Sequence, residues 1–275
     1  MDLLIKSALE HGIENTVNLM NLGFADYLVK INFDLVTVME RVRYDGIDLA
    51  KSRVVLQDGD PVGVALIAQR GWSRRLAAMA IVPHARFHGV GKWLMAHLIA
   101  DAKSNNDRRM VLEVIENNEP AVNLYRSCGF RMIRRLVSYA SPSIEAGAVF
   151  AELEEIDIHD VSGLVIAHAF PDLPWQVSGE SLVQLGPPNQ AFRLDLAYIV
   201  VSDLSKQQVA IRSILVEPVA RGQGQARNLL STLMKMHPDK EWQVPAICPQ
   251  EIGSFFEKVG FEKQPLSQLQ MALTL

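Results

Sequence analysis

One loop occurs twice in this 275-residue chain, and it restricts what the chain can fold into. The first copy runs from Ala78 through Ile81-Val82-Pro83 to Arg86, Gly89 and Gly91. The second runs from Ser213 through Val216-Glu217-Pro218 to Arg221, Gly224 and Ala226, 135 positions later. Each copy is an apolar strand, a proline, an arginine three residues on, a glycine-containing turn and an apolar helix start. The first backbone N–H groups of a helix have no partner inside it, and the helix dipole favours an anion there. A strand, loop and helix arranged in this way make a phosphate site. The pattern is neither the Gly-x-Gly-x-x-Gly dinucleotide fingerprint nor a P-loop ending in Gly-Lys-Ser/Thr.

A second matching segment follows each loop. In the first half it spans Val111 to Phe130 and reads as a buried strand, a turn, a short helix and a glycine, Gly129, that stops the helix. In the second half Gly260-Phe261 repeats Gly129-Phe130, 40 residues from arginine to phenylalanine against 44 in the first copy. Self-similarity of this kind means repeated units, and the length allows two ordinary domains.

Together the two segments resemble the GNAT superfamily of acetyl-CoA-dependent N-acetyltransferases. The resemblance rests on Arg86-x-x-Gly89-x-Gly91 and on the run Asn118-x-x-Ala121-x-x-Leu124-Tyr125-x-x-x-Gly129-Phe130. It covers residues 50–140 well and 190–262 with losses. Within the first half, Leu112-Glu113-Val114 and the run after it look like the ribosomal-protein alanine N-acetyltransferase branch. The resemblance implies an α/β (α+β) fold of two tandem GNAT-like domains, each a mixed twisted sheet flanked by helices. We expect a catalytic domain over 1–140, a linker over 141–150 where the text turns small and polar, and a degenerate domain over 151–275. The resemblance further implies acetyl-CoA as co-substrate. Ile81 and Val82 would offer a strand edge to its pantetheine arm. Arg86, Phe87, His88, Gly89, Val90, Gly91 and Lys92 would hold its pyrophosphate, with Asn118 also at the cofactor.

Acetyl transfer to an amine needs a deprotonated amine, a held carbonyl, a donor for the developing oxyanion and a proton for the departing thiolate. By resemblance Tyr125 is the general acid. A phenol near ~10 donates to a thiol near ~8.5 without being ionised at neutral pH. The bland alternative is an ordinary helix residue packed over the sheet. Glu113 is the candidate base, since an acid inside Met110–Ile115 is costly to bury without a partner. Its alternative is a plain ion pair with an arginine. In the second half Phe256 stands for Tyr125, Val244 for Glu113 and Pro249 for Asn118, so the chemistry belongs to the first domain. The first loop has its own departure, Phe87 in the place of Gly222.

Charge is uneven: 18 basic and 15 acidic residues up to 140, then 9 and 16. The arginines of the first half, Arg74 and Arg75 among them, are spread along the chain and read mostly as solvated surface. No basic patch with interleaved aromatics argues for nucleic acid, and no apolar run is long enough for a membrane span. Two thiols, Cys128 and Cys248, and a start without a signal-peptide pattern fit a cytoplasmic protein. His84 and His88 lack the glutamate of a helical zinc motif, so no metal is expected. The expected partner is a small-molecule or peptide amine acceptor, bound by a monomer or homodimer. Two rival readings stand beside this one: a non-catalytic acyl-CoA-binding sensor, and an enzyme whose active site is in the C-terminal domain. No motif identifies the acceptor.

Overall fold

A computed structural model describes residues 2–142 and 152–275. The expected linker lies outside the described residues apart from Ser141 and Pro142. In chain order the elements are β1 (Leu3–Ser7), α1 (Ala8–His11), α2 (Ile13–Gly23), α3 (Leu35–Asp45), β2 (Arg53–Gln57), β3 (Asp60–Arg70), β4 (Ser73–Ile81), α4 (Val90–Ser104), β5 (Arg109–Ile115), α5 (Glu119–Ser127) and β6 (Arg131–Ser141). There follow β7 (Glu154–Ile156), α6 (Ile158–His168), α7 (Gly179–Leu182), β8 (Gln190–Leu194), β9 (Ala197–Val201), β10 (Gln208–Val216), α8 (Gln225–Met236), β11 (Glu241–Pro249), α9 (Gly253–Lys258) and β12 (Glu262–Thr274). No helix among the described residues is long and apolar enough to cross a membrane.

Local sequence explains much of this. Asp58 and Gly59 both take positive φ, 52° and 96°, as a tight hairpin between β2 and β3 requires. Asp34 caps α3 by accepting the Thr37 N–H, and Ser7 with Glu10 forms a capping box on α1. β9 is buried along its whole length because it serves two cores. Ile199 and Val201 join Leu229, Leu233 and Trp242 on one face, while Tyr198 and Val200 join Val161 and Leu182 on the other.

The chain divides into two compact units. Unit 1 is Met1–Ile133 with Leu269–Leu275, and unit 2 is Arg134–Gln268. In unit 1 the strands run β1-β2-β3-β4-β5 and then the end of β12. Neighbours are antiparallel up to β4, and β4–β5 is parallel. Unit 2 repeats the scheme as β7-β8-β9-β10-β11, again antiparallel until the parallel pair β10–β11, and β6 then lies antiparallel to β11.

The units therefore differ from the sequence repeats in their last strands. Residues 134–140 follow the first repeat but belong to unit 2, and residues 269–275 follow the second but belong to unit 1. Tyr139 faces Val244 in the ladder, and the Leu275 N–H donates to the Arg108 carbonyl at 3.1 Å. Nothing local in an apolar strand states which edge it will pair with. That choice is made by the folded chain.

Unit 1 also overturns the reading of Arg74 and Arg75 as surface. As neighbours on β4 they point to opposite faces, yet they are 0% and 4% exposed. Arg74 lies 2.6 Å from Asp101 of α4 and 2.8 Å from Asp107. Arg75 lies 2.8 Å from Glu113 of β5 and 3.3 Å from Asp45 of α3. Each guanidinium has two carboxylates, which is how a charge survives burial. In unit 2 the same strand positions carry Val209 and Ala210.

Removing one member of such a network strands the others. Arg74→Met is expected to destabilise the protein by about 3–5 kcal/mol, read as a lowered urea midpoint. A change under about 1 kcal/mol would show that Asp101 and Asp107 do not depend on it.

Candidate active site

The site in unit 1 begins where two strands part. β4 and β5 pair only from Ser73 opposite Arg109 to Leu76 opposite Leu112, although β4 continues to Ile81 and β5 to Ile115. The register of β4 on β3 also slips there, so that Ala77 is the extra residue of a bulge. A groove of about 490 Å³ opens beyond this point, bounded by Met79, Ile81, the Arg86–Lys92 loop, α5 and the segment after α2.

The loop is shaped by backbone geometry. Pro83–Ala85 forms a 3-10 turn, and Gly89 takes φ 86° as the N-cap of α4. The first turn of α4 carries no acidic residue, so its N–H groups stay suited to an anion. A Cβ on Gly91 would sit 3.4 Å from Leu124 and 3.6 Å from Met79, whereas one on Gly89 would meet nothing within 4 Å. Gly91 is thus constrained by packing and Gly89 by its φ.

The repeated arginine turns out to be a brace. Arg86 donates from Nε to the Ile81 carbonyl at 2.9 Å and from Nη2 to the Gly23 carbonyl at 2.9 Å, and it forms a two-pronged pair with Asp26 at 2.7 Å on each prong. Arg221 repeats the design in unit 2, from Nε to Val216 O at 3.1 Å and from Nη2 to His168 O. In both copies the arginine ties the end of a strand to the end of an earlier helix, α2 in unit 1 and α6 in unit 2. This leaves backbone N–H groups and Lys92 to face an anion.

Of the residues expected at the cofactor, Ile81, Arg86, Phe87, Gly89, Gly91, Lys92 and Asn118 line the groove. Val82, His88 and Val90 are not part of that lining. Val82 donates its N–H to Val62 across the sheet at 2.9 Å, so it faces β3 rather than the opening. Strand alternation then turns the N–H of Ile81 towards the groove. Val90 is buried and anchors α4, while His88 is exposed.

Tyr125 stands on the groove wall. Asn118 positions it by capping α5, its Oδ1 accepting the Ala121 N–H at 3.3 Å. The Tyr125 ring lies 6.0 Å from Phe130, centroid to centroid. Burial, with the Tyr27 phenol and Cys128 nearby, pushes its phenol well above the ordinary tyrosine range. Tyr27 is a groove residue that sequence reasoning missed. Its phenol hydrogen-bonds the Asn118 side chain, and its ring packs edge-on against Phe24 at 4.9 Å. It lies between two helices with no motif around it, and only folding brings it to Asn118.

Glu113 is not brought to the groove. Its side chain is 3% exposed and its Oε2 sits 2.8 Å from Arg75 Nε. The plain ion-pair reading describes its surroundings. In unit 2 the strand register also shifts the comparison by one residue. Gln208 faces Glu241 as Ser73 faces Arg109, which sets Pro245 in the place of Glu113, where counting residues back from Phe256 had set Val244. Neither residue is an acid. Phe256 is 2% exposed and stacks on Tyr139 at 5.6 Å. Pro249 lacks the capping side chain of Asn118, and α9 is led by a 3-10 turn, Gln250–Ile252.

Residues 33–130 match the acetyltransferase (GNAT) family. The chain is 35% identical over 75 residues to the streptothricin acetyltransferase of Streptomyces lavendulae, covering 26% of this chain and 40% of that protein. It is 33% identical over 84 residues to the peptidyl-lysine N-acetyltransferase YiaC of Escherichia coli (strain K12), covering 30% of this chain and 52% of that protein. The matches thus span about half or less of the length of these relatives. Over the whole chain the fold is similar to a tandem GNAT protein from the clavulanic acid biosynthesis pathway, with TM-score 0.68, 15% identity, and 99% and 98% of the two chains covered. It is equally similar to a GCN5-related N-acetyltransferase from Sphaerobacter thermophilus, with TM-score 0.69, 13% identity, and 99% and 95% covered. The GNAT fold therefore accounts for both units, each a mixed sheet flanked by helices.

The first GNAT loop carries a measurable strain. Phe87 has φ 62° and is 89% exposed, where the second loop has Gly222 at φ 79°. A non-glycine residue there costs roughly 1–2 kcal/mol. Phe87→Gly is expected to raise stability by about 1 kcal/mol in thermal melts, and a fall would show that the ring makes a compensating contact.

Proposed function

We propose that the chain transfers an acetyl group from acetyl-CoA to a primary amine, in the groove of unit 1. The observation that carries this is the pairing of a GNAT phosphate loop with Tyr125 on one groove wall, against Phe256 at the matching place in unit 2. The groove fits the co-substrate. α4 begins without acids, Lys92 faces the opening, and Gly89 leaves the backbone open to a phosphate. Bound there, acetyl-CoA supplies the acyl group as a thioester. The protein's part is to hold it along the free edge of β4 and to give a proton to the sulfur that departs. Tyr125 is protonated at neutral pH because burial raises its pKa, and its phenol O–H is the proton it would give. Tyr27 and Asn118 hold the wall in place behind it.

We assign Glu113 first to the Arg75 ion pair, with any base role running through water. The amine then arrives deprotonated by solvent or by such a relay. The relatives are named for acetylating streptothricin and peptidyl-lysine. Both names point to an amine acceptor, and we extend that class to this chain.

The test is acetyl-CoA turnover by the full chain against lysine peptides, streptothricin-type antibiotics and polyamines. No turnover with any of them, together with measurable acetyl-CoA binding, would favour the acyl-CoA sensor instead. Tyr125→Phe should lower kcat by roughly 10²–10⁴ with acetyl-CoA affinity unchanged. A wild-type kcat in that variant removes the acid assignment. Activity should rise with pH as the amine loses its proton and show no fall from Tyr125 ionising below pH 10, since its pKa is raised. If Glu113 is a counter-ion only, Glu113→Gln lowers the melting temperature and leaves the shape of this pH profile unchanged. A selective loss of kcat at low pH would instead make it the relay.

A further inference from the structure

Unit 2 has its own pocket, of about 410 Å³, where β10 and β11 part after Ala210 opposite Gln243. Its walls are largely apolar, with Phe170, Ile214, Val244, Ile247 and Phe256 among them. One residue breaks that character. The register of β10 on β9 slips between Ile211 and Ser213, so Arg212 is the bulge residue, at the place Ala77 holds in unit 1. A bulge re-aims a side chain, and Arg212 lines the pocket.

Its guanidinium end is open to a ligand. Arg212 Nε is sealed from solvent, but the residue is half-buried and its terminal nitrogens are not sealed. No ion pair or hydrogen bond holds them among the described residues. No aspartate or glutamate lines this pocket. Arg74 and Arg75 each have two carboxylates, whereas no carboxylate pairs with Arg212 among the described residues. Four other polar side chains line the pocket, His168, Ser213, Arg221 and Cys248, and none carries a fixed negative charge. Arg221 is engaged with the Val216 and His168 carbonyls. Burial, with Glu251 nearby, pushes the Cys248 thiol up to about 12, so it stays neutral.

We propose that this pocket binds a small amphipathic carboxylate, whose acid group pairs with Arg212 and whose apolar body lies against Ile214, Val244 and Phe256. A planar guanidinium and a carboxylate match in geometry, and a pocket of this size takes a small organic ligand. A phosphate at the Gly224 loop would be a separate event, since four residues of extended strand from Arg212 to Val216 span roughly 13 Å. The proposal is independent of acetyl transfer in unit 1.

The test is calorimetry on the full chain with 4-phenylbutyrate, its uncharged amide, succinyl-CoA and inorganic phosphate. The acid is expected to bind at least tenfold tighter than the amide. Arg212→Met is expected to abolish that preference without lowering the melting temperature, and Arg212→Lys to retain part of it. Equal binding of acid and amide, no binding of the acid, or an unchanged preference in both variants would overturn the proposal. Displacement of the acid by inorganic phosphate would also overturn it, by showing a site for any anion. Succinyl-CoA binding that depends on Arg212, without binding of 4-phenylbutyrate, would reassign the pocket to a carboxyacyl thioester.

Discussion

Buried charges cluster where the groove of unit 1 begins and tie four elements together there. The hydrogen-bonded ladder between β4 and β5 ends at Leu76 opposite Leu112, and beyond it the strands have no backbone hold on each other. Arg75 lies just before that point and Glu113 just after, and their 2.8 Å contact joins the strands by side chains as the ladder fails. Asp45 ties the same guanidinium to α3, while Arg74 on the opposite face ties β4 to α4 through Asp101. In a desolvated setting such pairs have few alternative geometries, because each misplacement leaves a charge unpaired. In unit 2 the strands part near the matching point with Val209 and Ala210 there, so the charges fix neighbouring elements in place and do not cause the parting itself.

The two units show which parts of a repeated design belong to architecture. The arginine brace is identical in role, joining Ile81 to Gly23 in one unit and Val216 to His168 in the other. The glycine cap of the following helix and the strand bulge also recur. What differs is chemistry. The charged vertex of unit 1 becomes Val209 and Ala210, Tyr125 becomes Phe256, and the bulge residue changes from Ala77 to Arg212. One unit has the Tyr125 phenol beside its groove, and the other has Arg212 in its pocket lining with no carboxylate paired to it among the described residues.

The strand composition of the units adds a constraint on how the chain can be divided. Unit 1 is completed by the last seven residues of the chain, and unit 2 includes most of β6. A cut at residue 140 would leave unit 1 without its final strand segment and carry β6 away from β11. Each unit is therefore complete only in the whole chain, and point substitutions probe it more cleanly than fragments do.

Much of the fold was legible because its signals are local. The repeated loop marked both helix starts, and the segment from Val111 to Phe130 read as the strand, short helix and glycine stop seen in β5, α5 and Gly129. Tyr125 and Asn118 were legible for the same reason, since the cap and the residue it positions lie on one short helix. Other features depended on partners far away in sequence. Arg74 and Arg75 looked like surface because charge alone does not reveal whether carboxylates from α3, α4 and β5 will close around it. Tyr27 had no signal, and Val82 turned away from the opening once strand pairing set its face. The sequence by itself determined the units of secondary structure, the two glycine loops and the helix that carries Tyr125, all of them short-range consequences of sterics and hydrogen bonding. Only the tertiary structure decided which edge the last strands join, where Glu113 finds its charge partner and that Arg212 finds none, because burial and ion pairing are settled between segments that meet only in the folded chain.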